Sequence, residues 1–520
     1  MNDFPIHLLP SSYSCIPISW HPAHRKTDVF TTTMLHGGSR ISKLLQSRIS
    51  LSFNVPHRFL IKFEFSSLFQ AKGLNTLDEE SVEFLPWLER KAGAKISSVL
   101  SIGKSPHGRS LFASENIQSG DCILKVPYSV QITPDNLLPK IKALLSDKIE
   151  TISKLAVILL VEQKMDQDSR WGPYICCLPR HGEIHSTIFW SEYELDMIHQ
   201  SSVYQETLNQ KAKIEKDFAA VVPDLQQFPD LESITLQDFM CAYFSVTSRA
   251  WESPKGLSLI PFTDFMNHDG VSKSIVLFDD DKKLSEVIAD RNYAPGEEVL
   301  INYGKLPNAS LLLDFGFTLP YNIHDQVEIQ LNIPYDDILH EKKLELLQHL
   351  TPKIKDAIGR NCSEDTFIIK LNPTSTMSKT LGHKSKEVRS PQGKGKGLPQ
   401  ALRAFARVLC CSSPQELSDL AMEAEQIDGR LARRPLKDSR REFKAHQMLS
   451  SHITNSMQKY DAAIKSLALV NSPSTSNTFA LRRQMALDLL TGELRVLRSA
   501  SAWLKNYCVV LKSTINYPSH

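Results

Sequence analysis

Apolar and polar positions divide the chain into a β-patterned part, a helical part, a second β-patterned part and a long helical tail. Residues 79–93 (EESVEFLPWLERKAG) put Phe84, Leu85 and Leu88 on one helical face, with regular turns expected from Pro86 onward. Ile96–Ile102 alternates loosely and predicts a strand. After Pro106–Ser110, residues 111–113 restart a strand, and Asp121–Pro127 (DCILKVP) predicts another beyond a turn at 116–120. From Thr133 to Asp238 the period becomes helical. Thr133-Pro134 marks a helix start, Leu155–Gln163 a buried helix, Trp171–Pro179 a packed loop and Trp190–Phe218 one or two helices. Thr235–Ser248 (TLQDFMCAYFSVTS) reads as an apolar helix with a threonine cap.

Short β-type runs then follow closely: Gly256–Phe262, Ile275–Phe278, Glu286–Asp290 and Val299–Tyr303. Charged or Pro-Gly turns at Asp279–Lys283 and Pro295–Glu297 separate them, which predicts a compact β unit. Beyond it lie a strand-like VEIQLNIP and a helix from Asp336 to Leu350. A polar, basic segment at 372–399 reads as a mobile loop. Four helices are expected after it, at Ala401–Val408, Pro414–Glu425, Arg440–Leu469 and Thr478–Leu511. The last carries Leu481, Met485, Leu489 and Val496 along one face, with Gly492 as a weak point. The fold class is therefore α+β: a β-rich domain at 80–325 with a helical insertion at 136–238, followed by an all-α lobe at 326–515.

Composition narrows this picture. A formal net charge of +2 over 520 residues supplies no field that would draw nucleic acid or an anionic surface. The longest apolar runs, such as Leu155–Val161, fall well short of the roughly 20 residues that span a bilayer. The nine cysteines form no CxxC pair, so a structural zinc site is not expected, and their odd, scattered placement excludes a secreted disulfide framework. Residues 1–72 differ from the rest. They are rich in serine and threonine, carry eight Lys or Arg residues from Arg25 to Lys72, and have only Asp3, Asp28 and Glu64 as acids. That is a transit-peptide composition, expected to be removed from the fold and to address the chain to chloroplast or mitochondrion. A tail without an address, leaving the chain in the cytoplasm, is the alternative.

Two pieces interrupt apolar runs with polar groups: Asp264-Phe265-Met266-Asn267-His268 and Ile301-Asn302-Tyr303-Gly304. Asn267 and His268 could hydrogen-bond a polar ligand, and Tyr303 could place a phenol at a cleft. Taken alone, each reads more readily as structure: a loop cap in the first case, a core tyrosine with a satisfied hydroxyl in the second. His268 has no second His or Cys at ligand spacing, so no metal is expected.

The ordered set is more specific than its parts. HGRSLFA at 107–113, SRAW at 248–251, PFTDFMNH at 261–268, GEEVLINYG at 296–304 and LLLDFGF at 311–317 together resemble the SET-domain protein methyltransferases. The similarity is to the branch that includes the Rubisco large-subunit lysine methyltransferase. The resemblance implies a β-rich domain whose motifs meet in a knot-like crossing, split by a helical insertion. It implies S-adenosyl-L-methionine as cofactor, bound by His107, Gly108, Arg109, Arg249, Asn267 and His268. Tyr303 matches the active-site tyrosine. Ser248, Trp251, Ile301, Phe315 and Phe317 would line the channel for the accepting side chain. The helical lobe would bind the protein to be methylated. This chain has His107 where the branch often has an acid, Arg109 in place of a small apolar residue, and Trp251 in place of a phenylalanine.

These residue types suit the implied reaction. A lysine amine ordinarily titrates near 10.4 and must lose its proton before attacking a methyl group. An apolar channel beside a cationic sulfonium favours the neutral amine. What remains is positioning, which a phenol and aromatic walls supply. The expected function is methylation of a lysine side chain on a folded protein. The alternatives are methylation of a histidine, and a weakly catalytic scaffold in an organelle complex.

Overall fold

A computed structural model describes residues 83–106, 108–145, 149–228, 231–253, 256–348, 366–371, 397–425, 435–469 and 477–516. The transit-like segment, His107 and residues 372–396 of the expected mobile loop lie outside these.

Helix α1 (Phe84–Ala92) buries Phe84 and Leu88 and ends at Gly93, whose φ of 64° is left-handed. It starts two residues before Pro86, because the first turn of a helix needs no intrahelical N–H donor. The first hairpin pairs β1 (Leu100–Ser105) with β2 (Gly108–Ala113). The strand expected from Ile96 begins only at Leu100. Residues 96 and 97 instead lie beside β3 (Cys122–Pro127): the Ile96 carbonyl accepts from the Lys125 N–H, and Ser97 Oγ donates to the Ile123 carbonyl.

The insertion contains α2 (Thr151–Lys164), α3 (Ser202–Leu225) and α4 (Leu236–Thr247), with shorter helical turns between them. In α2, Leu155–Val161 is buried without a break, so this helix packs on all sides instead of along one stripe. Helix α4 opens on a reciprocal cap: Asp238 donates its N–H to Thr235 Oγ1, and its carboxylate accepts the Thr235 N–H at 3.0 Å. Its far end delivers Ser248 and Arg249 to the next strand.

That strand, β4 (Ala250–Ser253), pairs with β5 (Gly256–Leu259) and holds the second half of the SRAW motif. β6 (Val276–Asp279) and β7 (Leu284–Ile288) join β3 in a three-stranded antiparallel sheet of order β3-β7-β6. The run expected as a strand at Val299–Tyr303 forms no ladder. It is threaded between other segments. Val299 donates to the Leu111 carbonyl, Ile301 to Asn267, Asn302 to Ser274, and Asp269 donates back to Ile301. Each neighbour takes one or two of its hydrogen bonds, so the expected crossing is made from single bridges, including a parallel one between His268 and Ile301.

A two-stranded sheet of β8 (Gln326–Gln330) and β9 (Thr366–Lys370) leads into the lobe, where residues 340–348 are helical. The remainder is helical: α5 (Gln400–Leu409), α6 (Pro414–Glu425), α7 (Ser439–Leu469) and α8 (Asn477–Asn516). α8 runs unbroken through Gly492. A Cβ there would overlap Asp325 Oδ2, so the glycine admits a neighbouring carboxylate and does not end the helix. Leu481, expected on the buried face of this helix, is 43% exposed, whereas Met485, Leu489 and Val496 are buried. One apolar core runs from α1 through the insertion into α8, with a small satellite cluster around Val408, Leu417 and Leu420. Among the described residues, no helix is long and apolar enough to cross a membrane.

Candidate active site

Tyr303 lies at the end of the threaded segment. Its hydroxyl donates to the Met266 carbonyl at 2.6 Å, and its N–H donates to His268 Nδ1 at 3.1 Å. The second bond assigns the His268 proton to Nε2, since Nδ1 accepts. Burial holds the imidazole below its usual range, so it stays neutral at pH 7. Burial likewise pushes the Tyr303 phenol well above its ordinary value, so it remains a hydroxyl.

Aromatic rings surround this phenol. The His268 ring stacks at 5.1 Å and the Phe315 ring at 5.1 Å, while Trp251 meets it edge-on at 6.1 Å. Phe317 stands 6.2 Å from His268 and 6.4 Å from Phe315. Gly316 makes this pair possible. Its φ is 76°, and an added Cβ would stand 2.9 Å from the Ser186 nitrogen. Only glycine tolerates both conditions, and the reversal it allows turns both phenylalanines toward the same site.

Asn267 donates through Nδ2 to Ser105 Oγ at 3.1 Å and to Glu298 Oε1 at 3.0 Å, which joins the first hairpin to the threaded segment. Arg249 donates to Ser248 Oγ at 2.8 Å, and Ser248 Oγ donates to the Phe244 carbonyl at 2.8 Å. The Ile301 side chain is fully buried in the core, so what this residue offers at the site is its bridging backbone. Gly108, at φ 104°, opens β2. Arg109 turns inward: it donates to the Cys177 carbonyl, and its guanidinium lies over the Phe265 ring at 5.7 Å. The structure thus brings Tyr303, His268, Trp251, Phe315 and Phe317 into one ring cluster. Arg249, Asn267 and Arg109 are tied to the segments that frame it.

Three participants went unassigned in the sequence. Glu298 orients Asn267. Tyr174, fully buried in the insertion, donates its hydroxyl to Asp264 Oδ2 at 2.5 Å. Asp264 itself is 8% exposed, and burial raises its carboxyl to about 6 against the opposing pull of Arg249 and the Tyr174 hydroxyl. Asp264 and Glu298 stand inside quoted motifs, so their proximity was a usable signal. Tyr174 lies 90 positions from its partner and carried none.

Buried polar side-chain atoms are paired as a rule. Among the described residues, eleven such atoms lack a partner, and six belong to this region: Ser110 Oγ, Arg249 Nε, Trp251 Nε1, Ser258 Oγ, Thr263 Oγ1 and Asp264 Oδ1. Trp251 and Ser258 face each other across the β4–β5 pair. This concentration of unmet donors and acceptors beside an aromatic cluster fits a polar ligand with an apolar or cationic part. Among the described residues, no group of three His, Cys, Asp or Glu side chains could hold a metal ion.

Comparison with known proteins follows the same division. The family model described as "SET domain" matches residues 108–304, and "Rubisco LSMT substrate-binding" matches residues 335–497. The chain is 27% identical over 314 residues to the Nicotiana tabacum ribulose-1,5 bisphosphate carboxylase/oxygenase large subunit N-methyltransferase, covering 56% of this chain and 63% of that one. It is 29% identical over 288 residues to the Arabidopsis thaliana [fructose-bisphosphate aldolase]-lysine N-methyltransferase, with 52% and 59% covered. It is 26% identical over 297 residues to the Dasypus novemcinctus actin-histidine N-methyltransferase, with 53% and 50% covered. The chain therefore spans half to just under two thirds of the length of these relatives. In fold it is similar to the solved structure of Rubisco LSMT bound to sinefungin and monomethyllysine. The TM-score is 0.63 at 21% identity, covering 84% of this chain and 94% of that one. The chain thus carries a SET domain followed by a Rubisco LSMT-type substrate-binding domain, and its fold is that of the solved structures it resembles.

Proposed function

We propose that this protein transfers a methyl group from S-adenosylmethionine to a side-chain nitrogen of a protein, and that the nitrogen is a lysine ε-amine. The observation that carries the reading is the aromatic enclosure of Tyr303 by Trp251, Phe315 and His268, next to the buried polar atoms that lack partners. When bound, S-adenosylmethionine supplies an electrophilic methyl group on a cationic sulfur. Gly108, Arg109, Arg249, Asn267 and His268 are the residues assigned to hold it, with His107 named from the sequence alone. The neutral His268 offers Nε2–H as a donor to that ligand.

The chain's own residues then do three things. The aromatic walls exclude water, which favours the neutral amine and its alignment with the methyl group. Tyr303, with its proton committed to the Met266 carbonyl, acts as an acceptor toward an amine N–H and fixes the direction of the nitrogen. Aromatic faces attract the methylammonium product, which is why lysine is preferred here over histidine. The lobe at 335–497 is assigned to hold the protein substrate, as its family description says of that domain.

Histidine methylation is the second reading, supported by relatives named as actin-histidine N-methyltransferases. Two relatives named as chloroplastic and the transit-like composition of residues 1–72 support a plastid address. One experiment tests the chemistry. The full chain is incubated with methyl-tritiated S-adenosylmethionine and plastid extract, and the labelled protein is hydrolysed to amino acids. Label in methyllysine is the expected result. Label in methylhistidine overturns the lysine reading, and no transfer to any protein overturns the enzyme.

A further inference from the structure

The Asp264 carboxylate is placed with unusual care for a residue that had no assigned role. The chain reaches it through Phe262, a fully buried residue held at φ 76°, a left-handed conformation that is strained for a bulky side chain. That turn opens the short helical turn Thr263–Phe265. Tyr174 pins Oδ2, and the Asp264 N–H is bonded to the Ile260 carbonyl at 3.2 Å. Oδ1 is buried without a partner. Burying a carboxylate with one oxygen unmet is costly unless a cation offsets it.

The charges around it are Arg249, just before β4, and Arg109 from β2, with the hydroxyls of Tyr174 and Tyr303 as neutral titratable neighbours. Glu298, which also acts on Tyr303, is held by Asn267. Both guanidiniums that act on Asp264 belong to residues assigned above to hold S-adenosylmethionine. Asp264 is the carboxylate that faces both guanidiniums and Tyr303.

On the reading that this site binds S-adenosylmethionine, we propose that Asp264, positioned by Tyr174, is its counter-charge: the residue that makes the site prefer the cationic sulfonium to the neutral thioether left after methyl transfer. The two ligands differ by one methyl group and one positive charge, so a fixed anion nearby separates them where shape does little. A site built this way retains the methyl donor and releases the spent form.

The test is the ratio of affinities for S-adenosylmethionine and S-adenosylhomocysteine, measured by calorimetry on the full chain from pH 5.5 to 8. Groups common to both ligands cancel in the ratio. In the unaltered protein the preference for the sulfonium is expected to be greatest at pH 8. It should fall about tenfold as the pH drops through about 6 and Asp264 takes up a proton. Asp264→Asn is expected to lower the ratio about tenfold at pH 7.5, through weaker S-adenosylmethionine binding alone, and to flatten its pH dependence. Tyr174→Phe keeps the charge but removes the hydrogen bond that favours it, so the fall should begin at higher pH. That variant and the unaltered protein carry the test if Asp264→Asn does not fold. Equal loss of both ligands in Asp264→Asn assigns Asp264 to bracing Arg249 and overturns the proposal, as does a ratio that ignores pH in the unaltered protein. Binding of neither ligand by the unaltered protein overturns the cofactor reading itself, and this proposal with it.

Discussion

Tyr303 is held from two sides, by its hydroxyl on Met266 and by its N–H on His268, and stacked between rings. Replacing it by phenylalanine leaves the rings packed and removes one polar contact. Under the proposed chemistry, Tyr303→Phe should lower single-turnover methyl transfer by about a hundredfold or more, because orientation of the amine is lost. Calorimetry should find cofactor affinity within about twofold of the original, since a group that acts only on alignment contributes little to ground-state binding. Unchanged turnover would remove Tyr303 from its assigned role. At this scale the polar residues that broke apolar runs, Asn267, His268 and Tyr303, read as structure one by one and became site candidates only as part of the ordered set of motifs. The sequence was silent on Tyr174, which lies in a short helical turn, Gly172–Ile175, where a loop was expected, and whose partner is set by tertiary packing alone. It also could not show that Arg109 turns to Cys177 and Phe265, because that depends on where the insertion folds back.

Elements with many repeats of a pattern were legible, and those made by single contacts were not. The apolar period predicts α2, α4 and α7 to within a few residues of their observed limits, because packing reinforces each turn. β4 is four residues long, and the threaded 299–303 segment has no ladder, so neither offers a period to read. Gly492 shows how an element can mislead. By propensity alone, alanine in the middle of a helix should stabilise it by about 1 kcal/mol. Here the added Cβ meets the Asp325 carboxylate, itself 2% exposed. Gly492→Ala is therefore expected to destabilise the protein by about 1–3 kcal/mol, as an overpacked core does, with a lower denaturation midpoint in urea. A raised midpoint would show that Asp325 moves aside freely.

The join between the matched regions gathers carboxyl groups. Glu493 on α8 is 2% exposed, and its Oε1 accepts from Ser201 Oγ at 2.8 Å. Asp325 and Glu206 add negative charge nearby. Burial raises Glu493 from its ordinary 4.5 to about 8, and Asp325 from 3.8 to about 6. A carboxyl raised on folding binds its proton more tightly in the folded state. Stability is thus fully present below the ordinary value and declines as pH rises toward the raised one. Melting temperature should accordingly fall between about pH 4 and 8, with Asp325 contributing only below about 6, and Glu493→Gln, which mimics the protonated form, should flatten that fall. A Glu493→Gln profile parallel to the original would place the sensitivity elsewhere. No pattern in the sequence could reveal these pairings, which join residues hundreds of positions apart. The threaded segment has a further consequence, in time instead of space. Val299 bonds to Leu111 and Ile301 to Asn267, so the crossing closes only after the whole insertion has been synthesised and compacted. Long loop closures come late and are rewarded only once made. A chain still emerging from the ribosome therefore has its hairpins before it has a site, and a mutation that slows folding of the insertion delays the onset of activity even where it leaves every site residue untouched.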